Sequence, residues 1–215
     1  MKLFCLFSLL MAGAVFAEAE VRPIFSNDFS REAVGQLPKD FLAIAGDFTV
    51  MEDDRDGRFL VLPGAPLESF GLLFGPTLKG EAGVRARFFG TKAGRKLPAF
   101  GLSLGGVGGY RLQVSASKKL LEIFQGDEVR QSVEYVWNEG AWTSLLLQVR
   151  KVGSEWVIEG KVWPSGGLEP AGWLIALTTP SEPPGGRPGL WGTPYSGTPI
   201  RFDDLLVSPV GAVLK

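Results

Sequence analysis

Five side chains in this sequence have the types and the spacing of a ligand-binding surface. They are Trp163, Arg85, Arg87, Arg111 and Gln113, and each faces away from the apolar residues of its own predicted strand. Arginine donates paired hydrogen bonds to carboxylates, and an indole ring offers a flat apolar surface. If the strands adjoin, these side chains form one cationic surface on the concave side of a curved sheet. Such a surface suits hydroxyl groups or a carboxylate-bearing polysaccharide, and the alternative is an ordinary solvated sheet face.

The tryptophans divide into two groups by their neighbours. Four have apolar neighbours and are expected to anchor the core or the loops: Trp142, Trp156, Trp173 and Trp191. Trp163 differs, because alternation puts it on the same face as Glu159 and Lys161. A ligand contact and a structural role are both open for Trp163.

Histidine is absent from the sequence, which excludes several kinds of chemistry. Histidine is the most frequent general base and the commonest metal ligand. Serine-histidine and cysteine-histidine catalysis are therefore excluded, as is a histidine-ligated zinc or iron site. The acidic run at residues 52–56 lacks the spacing of the helix-loop-helix calcium motif, and predicts a solvated turn instead.

The amino-terminal residues have the pattern of a secretory signal peptide. A positive end at Met1-Lys2 precedes an apolar run that is too short to span a membrane. We expect cleavage after Ala17, with Ala19 as the alternative, so that residues 1–17 are removed and residues 18–215 form a single domain. Cys5 is the one cysteine and lies in the removed segment, so the mature chain has no thiol and no disulfide. The expected location is secreted or periplasmic.

The charge of the chain also limits its partners. The formal net charge is −1, and no cluster of basic residues gives the footprint of a protein that binds nucleic acid or anionic lipid. We expect no nucleic-acid partner and no membrane insertion of the mature chain. The oligomeric state is left open.

The alternation of apolar and polar residues predicts an all-β protein. Residues 143–151 and 156–163 alternate on either side of a Val-Gly-Ser turn, which is typical of a half-buried antiparallel hairpin. Its apolar face needs a second layer to cover it. Further strands are predicted at residues 46–51, 58–62, 72–74, 84–89, 99–104, 110–116, 120–125, 128–136 and 200–207, and the chain between Trp173 and the last strand is predicted to be rich in loops. The sequence therefore predicts a two-sheet antiparallel β-sandwich of the jelly-roll type.

Four segments in this order resemble the concanavalin A-like lectin/glucanase superfamily. They are Val-Arg-Ala-Arg-Phe at 84–88, Leu-Pro-Ala-Phe-Gly-Leu at 97–102, residues 142–149, and Phe-Asp-Asp-Leu-Leu-Val at 202–207. Their order and spacing are similar to those of the laminin-G-like and family 16 glucanase-like sandwiches, over most of residues 25–208. The resemblance implies the concanavalin A-like sandwich fold.

The resemblance does not extend to the catalytic residues of the glucanase branch. In that branch a Glu-x-Asp-x-x-Glu signature supplies the nucleophile and the acid/base of a retaining glycosidase. The corresponding residues here, 108–115, contain no carboxylate, and Arg111 and Gln113 occupy the alternating positions. The resemblance therefore argues against that chemistry.

A structural calcium ion is a further implication of the resemblance. Sandwiches of this superfamily often hold calcium near the first and last strands, and calcium prefers oxygen ligands. Asp28, Asp203 and backbone carbonyls would supply the oxygen atoms if those strands pair. The alternative for the neighbouring residues Asp203 and Asp204 is that one caps a turn and the other is solvated. No other cofactor is expected.

Three functions are consistent with the sequence. The first is a secreted, non-catalytic protein that binds carbohydrate or a glycoconjugate. The second is a glycan hydrolase or lyase of the same fold that uses unpaired carboxylates such as Glu159 or Glu122, with Tyr110 as a proton donor. The third is a structural envelope or protein-interaction module. Because fold alone is a weak argument for function, the sequence leaves all three open and favours the first.

Overall fold

Two antiparallel β-sheets pack face to face in the computed structural model, as the alternation predicted. The structure describes residues 22–65, 68–194 and 197–211. The predicted signal peptide at residues 1–17 lies outside the described residues. Within those three ranges, no helix is long and apolar enough to cross a membrane.

The strands in chain order are β1 (Phe25–Asn27), β2 (Leu42–Ala45), β3 (Thr49–Asp53), β4 (Gly57–Leu62), β5 (Phe70–Leu73), β6 (Ala82–Phe89), β7 (Ala99–Leu104), β8 (Tyr110–Ser115), β9 (Leu120–Gln125), β10 (Glu128–Glu134), β11 (Thr143–Val152), β12 (Glu155–Pro164), β13 (Ile175–Thr179), β14 (Gly189–Thr193) and β15 (Ile200–Ser208). One sheet has eight strands in the order β13-β12-β11-β6-β15-β4-β3, with β1 also paired to β15. The other sheet has seven strands in the order β10-β9-β8-β7-β14-β5-β2.

The hairpin predicted at residues 143–163 forms two neighbouring strands of the eight-stranded sheet. Strands β11 and β12 pair over their full length, from Thr143 opposite Pro164 to Val152 opposite Glu155. The inward residues of β11 are Leu145, Leu147 and Val149, and all three are buried in the core. The hairpin prediction is confirmed. The polar residues of both strands therefore lie on the outer face of this sheet.

Aromatic side chains fill the space between the two sheets. Phe88 of β6 stacks on Phe100 of β7 with a centroid separation of 5.2 Å, and it also meets the edge of Phe202 at 5.4 Å. All three are fully buried. Burial of apolar area of this kind is the main force that holds two sheets together.

The loop-rich region predicted after Trp173 contains two strands that the sequence analysis missed. One of them, β14, lies between β7 and β5 inside the seven-stranded sheet. Its glycines reflect close packing rather than a turn, because a Cβ atom on Gly192 would lie 2.7 Å from Leu62 Cδ2. Tertiary packing has overridden local strand propensity here.

Strand β15 changes partner part-way along its length. Its first residues pair with β4, and Leu205 to Val207 pair with β1. Between these two segments, its register with β6 shifts at a bulge between Asp203 and Leu206, and Asp204 has a φ of +51°. The first and last strands do pair, as the sequence analysis required for the predicted calcium site. The bulge turns the carboxylates of residues 203 and 204 toward β6.

The segment between β12 and β13, residues 165–174, folds back over the outer face of the eight-stranded sheet. The ammonium group of Lys161 lies 2.7 Å from a carboxylate oxygen of Glu169. At its two ends, Ser165 N–H donates to Trp142 O and Leu174 N–H donates to Gly160 O. This segment forms a wall beside the outer face of the sheet.

Candidate functional site: a cleft on the eight-stranded sheet

A row of four side chains crosses the outer face of the eight-stranded sheet. Arg85 lies opposite Leu206 of β15 on one side and Leu146 of β11 on the other, and Leu146 lies opposite Lys161 of β12. Val84 and Ala86, which flank Arg85 in the chain, are buried between the sheets. The alternation therefore directs Arg85 outward, as the sequence predicted.

A cleft of about 560 Å³ lies over this row. We call it the Arg85 cleft. Its floor comes from β6, β11, β12 and β15, and its wall comes from residues 165–174 and from the end of β15. The lining side chains are Arg85, Leu146, Gln148, Arg150, Lys161, Glu169, Trp173, Leu206, Ser208, Pro209 and Val210.

Trp173 provides the aromatic surface of the Arg85 cleft. Its ring centroid lies 4.6 Å from the ammonium group of Lys161, and its side chain is partly exposed. A cation over an indole face is an attractive contact, so Lys161 holds the ring at the wall of the cleft. The apolar neighbours of Trp173 in the sequence predicted a structural role for it. The signal that could have found it is its position at the end of a glycine- and proline-rich loop.

The polar groups at one end of the cleft are held by a buried glutamate. Glu159 accepts hydrogen bonds from Arg150 Nε at 2.6 Å and from Gln148 Nε2 at 2.9 Å, and its side chain is almost completely buried. The hydrogen bond to Glu159 raises the pKa of Arg150 above its usual value. These contacts fix Gln148 and Arg150 in position before any ligand arrives.

Trp163 lies on the predicted face but is not exposed. It stands opposite Ser144 and is 7% exposed. Ser144 and Ser165 share a hydrogen bond of 2.8 Å, which holds the turn after β12 close to the ring. Of the two roles that the sequence left open for Trp163, this burial favours the structural one. Trp163 lines a smaller cleft of about 210 Å³ together with Arg85 and Arg87.

Arg87 belongs to a network of ion pairs on the same face. Its guanidinium lies 2.6 Å from a carboxylate oxygen of Asp203 and 3.1 Å from one of Asp204, and it stacks over Trp142 at 4.6 Å. Burial raises the pKa of Asp203 to about 6, although Arg87 and the N–H of Asp204 favour its charged form. Arg87 is thus held by the protein rather than open to a ligand.

Arg111 and Gln113 lie on the opposite side of the molecule from Arg85. Both belong to β8 of the seven-stranded sheet, and both face outward from it. The expectation that all five predicted residues converge on one surface is wrong. Alternation along a strand specifies a face of that strand, but it does not specify the sheet to which the strand belongs. Trp163, Arg85 and Arg87 come together, and Arg111 and Gln113 do not join them.

Arg111 lies between two aromatic rings on the outer face of the seven-stranded sheet. Its guanidinium carbon is 4.5 Å from the centroid of Phe124 and 5.1 Å from that of Trp191. Burial lowers the pKa of Arg111. Three ring atoms of Trp191 would lie 2.8 to 3.1 Å from a Cβ on Gly71, so the face of the indole covers that glycine. A ligand role for Arg111 and Gln113 stays a prediction, separate from the Arg85 cleft.

The predicted calcium ligands do not form a suitable site. Both carboxylate oxygens of Asp203 are in use, one with Arg87 and the other with the N–H of Asp204. Asp28 forms a turn in which Oδ1 accepts from the N–H and the hydroxyl of Ser30. Among the described residues, no group of three or more acidic, histidine or cysteine side chains could hold a metal ion. Calcium requires six to eight oxygen ligands, and the residues present do not fit it.

The carboxylates of the enzyme alternative lie apart. Glu159 belongs to the eight-stranded sheet, and Glu122 belongs to the seven-stranded sheet, where it is bound by Ser115 and Lys118. Tyr110 is 3% exposed and lies in the core. A glycosidase needs two carboxylates within about 10 Å on either side of the scissile bond. These three residues do not provide that arrangement.

Comparison with known proteins identifies solved structures of similar fold. No protein-family model and no curated protein matches the sequence. Among solved structures, the carbohydrate-binding module CBM66 from Bacillus subtilis is similar with a TM-score of 0.54 and 13% identity, over 79% of this chain and 95% of that one. The carbohydrate recognition domain of Emp47p gives 0.58 and 10%, over 90% and 98%. Lectin II from Ulex europaeus gives 0.53 and 13%, over 87% and 99%. The protein therefore has the concanavalin A-like β-sandwich fold that its sequence resembles.

Proposed function

We propose that this protein binds carbohydrate or a glycoconjugate in the Arg85 cleft, without catalysing a reaction on it. The observation that carries the proposal is the cleft itself, in which an aromatic ring and several fixed polar groups converge over one sheet face. Its volume of about 560 Å³ lies within the range of about 300–1,000 Å³ that is usual for small-molecule sites.

The chemistry of the cleft suits a sugar. A sugar ring has apolar C–H faces, which pack against an aromatic side chain, and hydroxyl groups at its rim, which need directed hydrogen bonds. Trp173 with Leu146 and Leu206 offers the apolar surface, while Arg85 donates hydrogen bonds. Gln148 already donates to Glu159, so its amide oxygen is available to accept from a hydroxyl group.

The similar structures support the same function. The three compared above are a carbohydrate-binding module, a carbohydrate recognition domain and a lectin. At 10–13% identity the likeness itself concerns the fold, so the argument for this chain rests on the Arg85 cleft. The apolar amino-terminal run at residues 3–16 supports a secreted or periplasmic location.

A panel of polysaccharides tests the proposal when binding and released reducing ends are measured together. We expect binding without turnover. Turnover would instead support the enzyme alternative, and neither binding nor turnover would support the interaction module. Trp173→Ala should weaken binding about tenfold, since stacking on an aromatic contributes about 0.5–1.5 kcal/mol beyond its area.

The matched control for the position of the site is Trp191→Ala, on the outer face of the other sheet. If sugars bind in the Arg85 cleft, this variant binds them as the unmodified protein does. Loss of binding in Trp191→Ala together with full binding in Trp173→Ala would move the site to the seven-stranded sheet and overturn the assignment to the Arg85 cleft.

A further inference from the structure

Arg85 differs from the other cations of the Arg85 cleft in its lack of a counter-ion. Arg150 is paired with Glu159 at 2.6 Å, and Lys161 is paired with Glu169 at 2.7 Å. Arg85 has no ion pair and no side-chain hydrogen bond with any residue in the described part of the chain. Among the cationic side chains of the cleft, Arg85 is therefore the one whose charge is not balanced by an ion pair within the described residues.

The surroundings of Arg85 strengthen any ionic contact that it makes. Leu206 and Leu146 stand directly opposite it on the two neighbouring strands, so its guanidinium emerges between two apolar side chains. The side chain is only partly exposed. Apolar neighbours reduce the local screening by water, and a charged hydrogen bond is stronger where screening is weak.

The two sides of Arg85 differ in charge. On the side of β1 it lines a second cleft of about 560 Å³, where the carboxylates of Asp28, Glu32 and Asp204 outnumber the one other cation, Arg31. On the other side lies the Arg85 cleft, whose lining carboxylate, Glu169, is paired with Lys161. Like charges repel, so an anionic group bound by Arg85 is favoured on the side of the Arg85 cleft. There it would lie beside the surface proposed to hold the sugar.

We propose that the ligand of the Arg85 cleft is an acidic glycan, and that Arg85 binds its carboxylate or sulfate group through paired hydrogen bonds. This inference rests on the proposed function and specifies the substrate class of the same site. A guanidinium presents two parallel N–H groups that match the oxygens of either anion. The two sources of the anion, a uronic acid and a sulfate ester, are distinguished by the test.

The first arm of the test uses the unmodified protein and matched glycans in a calorimeter. Oligogalacturonate is compared with the same oligosaccharide after reduction of its carboxyl groups, and a sulfated galactan is compared with its desulfated form. We expect the acidic member of at least one pair to bind about tenfold to a hundredfold more tightly, which is the usual effect of hydrogen bonds to charged groups. The pair that shows the difference identifies the anion.

The second arm compares charge-altering variants. Arg85→Gln should bring the ratio of the affinities for the acidic and the neutral glycan close to one, because a glutamine amide can still donate to a hydroxyl group but carries no charge. Arg85→Lys keeps the positive charge but loses the two parallel N–H donors of the guanidinium group. This variant should therefore retain only part of the preference for the acidic glycan. Arg95→Gln is the matched control, because Arg95 is exposed in the turn between β6 and β7, away from the cleft.

The possible results separate this inference from the proposed function. If the neutral glycan binds as tightly as the acidic one, or if Arg85→Gln weakens both equally, the acidic-glycan inference is wrong and carbohydrate binding stands. If Arg111→Gln removes the preference and Arg85→Gln does not, the anion binds on the seven-stranded sheet and the inference is wrong. If no glycan binds, both proposals fail. Arg85→Gln should unfold at the temperature of the unmodified protein, because Arg85 has no partner to lose.

Discussion

Arg87 and Asp203 face each other on neighbouring strands, and their charged groups lie 2.6 Å apart on a sheet face where Asp203 is only 2% exposed. Burial disfavours the charged carboxylate more than Arg87 favours it, so the pKa of Asp203 rises to about 6. The balance between these two effects determines how the stability of the protein varies with pH.

The replacement Asp203→Asn tests this balance. Between about pH 4 and pH 6 the folded protein holds a proton on Asp203 that the unfolded chain has released, so this group's contribution to stability is lost as the pH rises. The quantity to compare is the free energy of unfolding of the unmodified protein minus that of the variant. This difference should fall by up to about 3 kcal/mol as the pH rises from about 4 to about 6, and it should stay constant at higher pH. Denaturant unfolding at several pH values measures the difference. A difference that grows with pH would contradict the assignment.

Calcium should have no effect on the unfolding temperature. Both carboxylate oxygens of Asp203 already accept hydrogen bonds, and a ligand stabilises a protein only if it binds the folded state. Thermal unfolding with millimolar calcium and with a chelator provides the measurement. A higher midpoint in calcium that Asp203→Ala abolishes would restore the calcium site expected from the sequence.

Trp163 near the end of β12 and Trp173 near the end of the following loop should respond differently to replacement by alanine. Trp163 is buried, so Trp163→Ala should lower the free energy of unfolding by about 3 kcal/mol, as large-to-small replacements of buried aromatics do. Trp173 is partly exposed, and Trp173→Ala should change stability by less than about 1 kcal/mol while it weakens sugar binding. Equal losses of stability in the two variants would mean that Trp173 is a structural anchor.

The close packing of β14 predicts a strong effect of one methyl group. Gly192→Ala would put a Cβ atom 2.7 Å from Leu62 Cδ2 and 3.1 Å from Ile200 Cδ1. Overpacking of this kind costs about 1–3 kcal/mol. The matched control is Gly108→Ala, since a Cβ atom on Gly108 meets nothing within 4 Å. Unfolding in denaturant should show a loss for the first variant only, and two equal curves would contradict the placement of β14.

The fold could be predicted from the sequence because its strongest signals are local. Leu145, Leu147 and Val149 alternate with polar residues along β11, and such a period fixes both the strand and its buried face. Strand β14 could not be predicted in the same way, because Gly189 and Gly192 resemble turn residues until their neighbours in the sheet are known. Short, glycine-rich central strands depend on contacts that are distant in the chain.

The candidate site could be predicted only in part. The outward direction of Arg85 follows from its neighbours in β6, and the sequence predicted it correctly. Whether Arg85 and Arg111 share a sheet depends on the order of the strands, which alternation does not encode. The burial of Trp163 and the exposure of Trp173 depend on how residues 165–174 fold over the sheet. The glycines and prolines before Trp173 indicate a loop there, but they do not indicate which face of the sandwich the loop covers.

The change of partner along β15 has a consequence for the synthesis of the protein. This strand pairs with β6, β4 and β1 at once, and it is the last strand of the described chain. Strand β1 therefore finds its neighbour only after residues 205–207 have left the ribosome. Pairings between such distant residues form slowly. The growing chain therefore cannot complete its larger sheet until residues 200–208 have been synthesised, although β1 of that sheet lies near the start of the described chain.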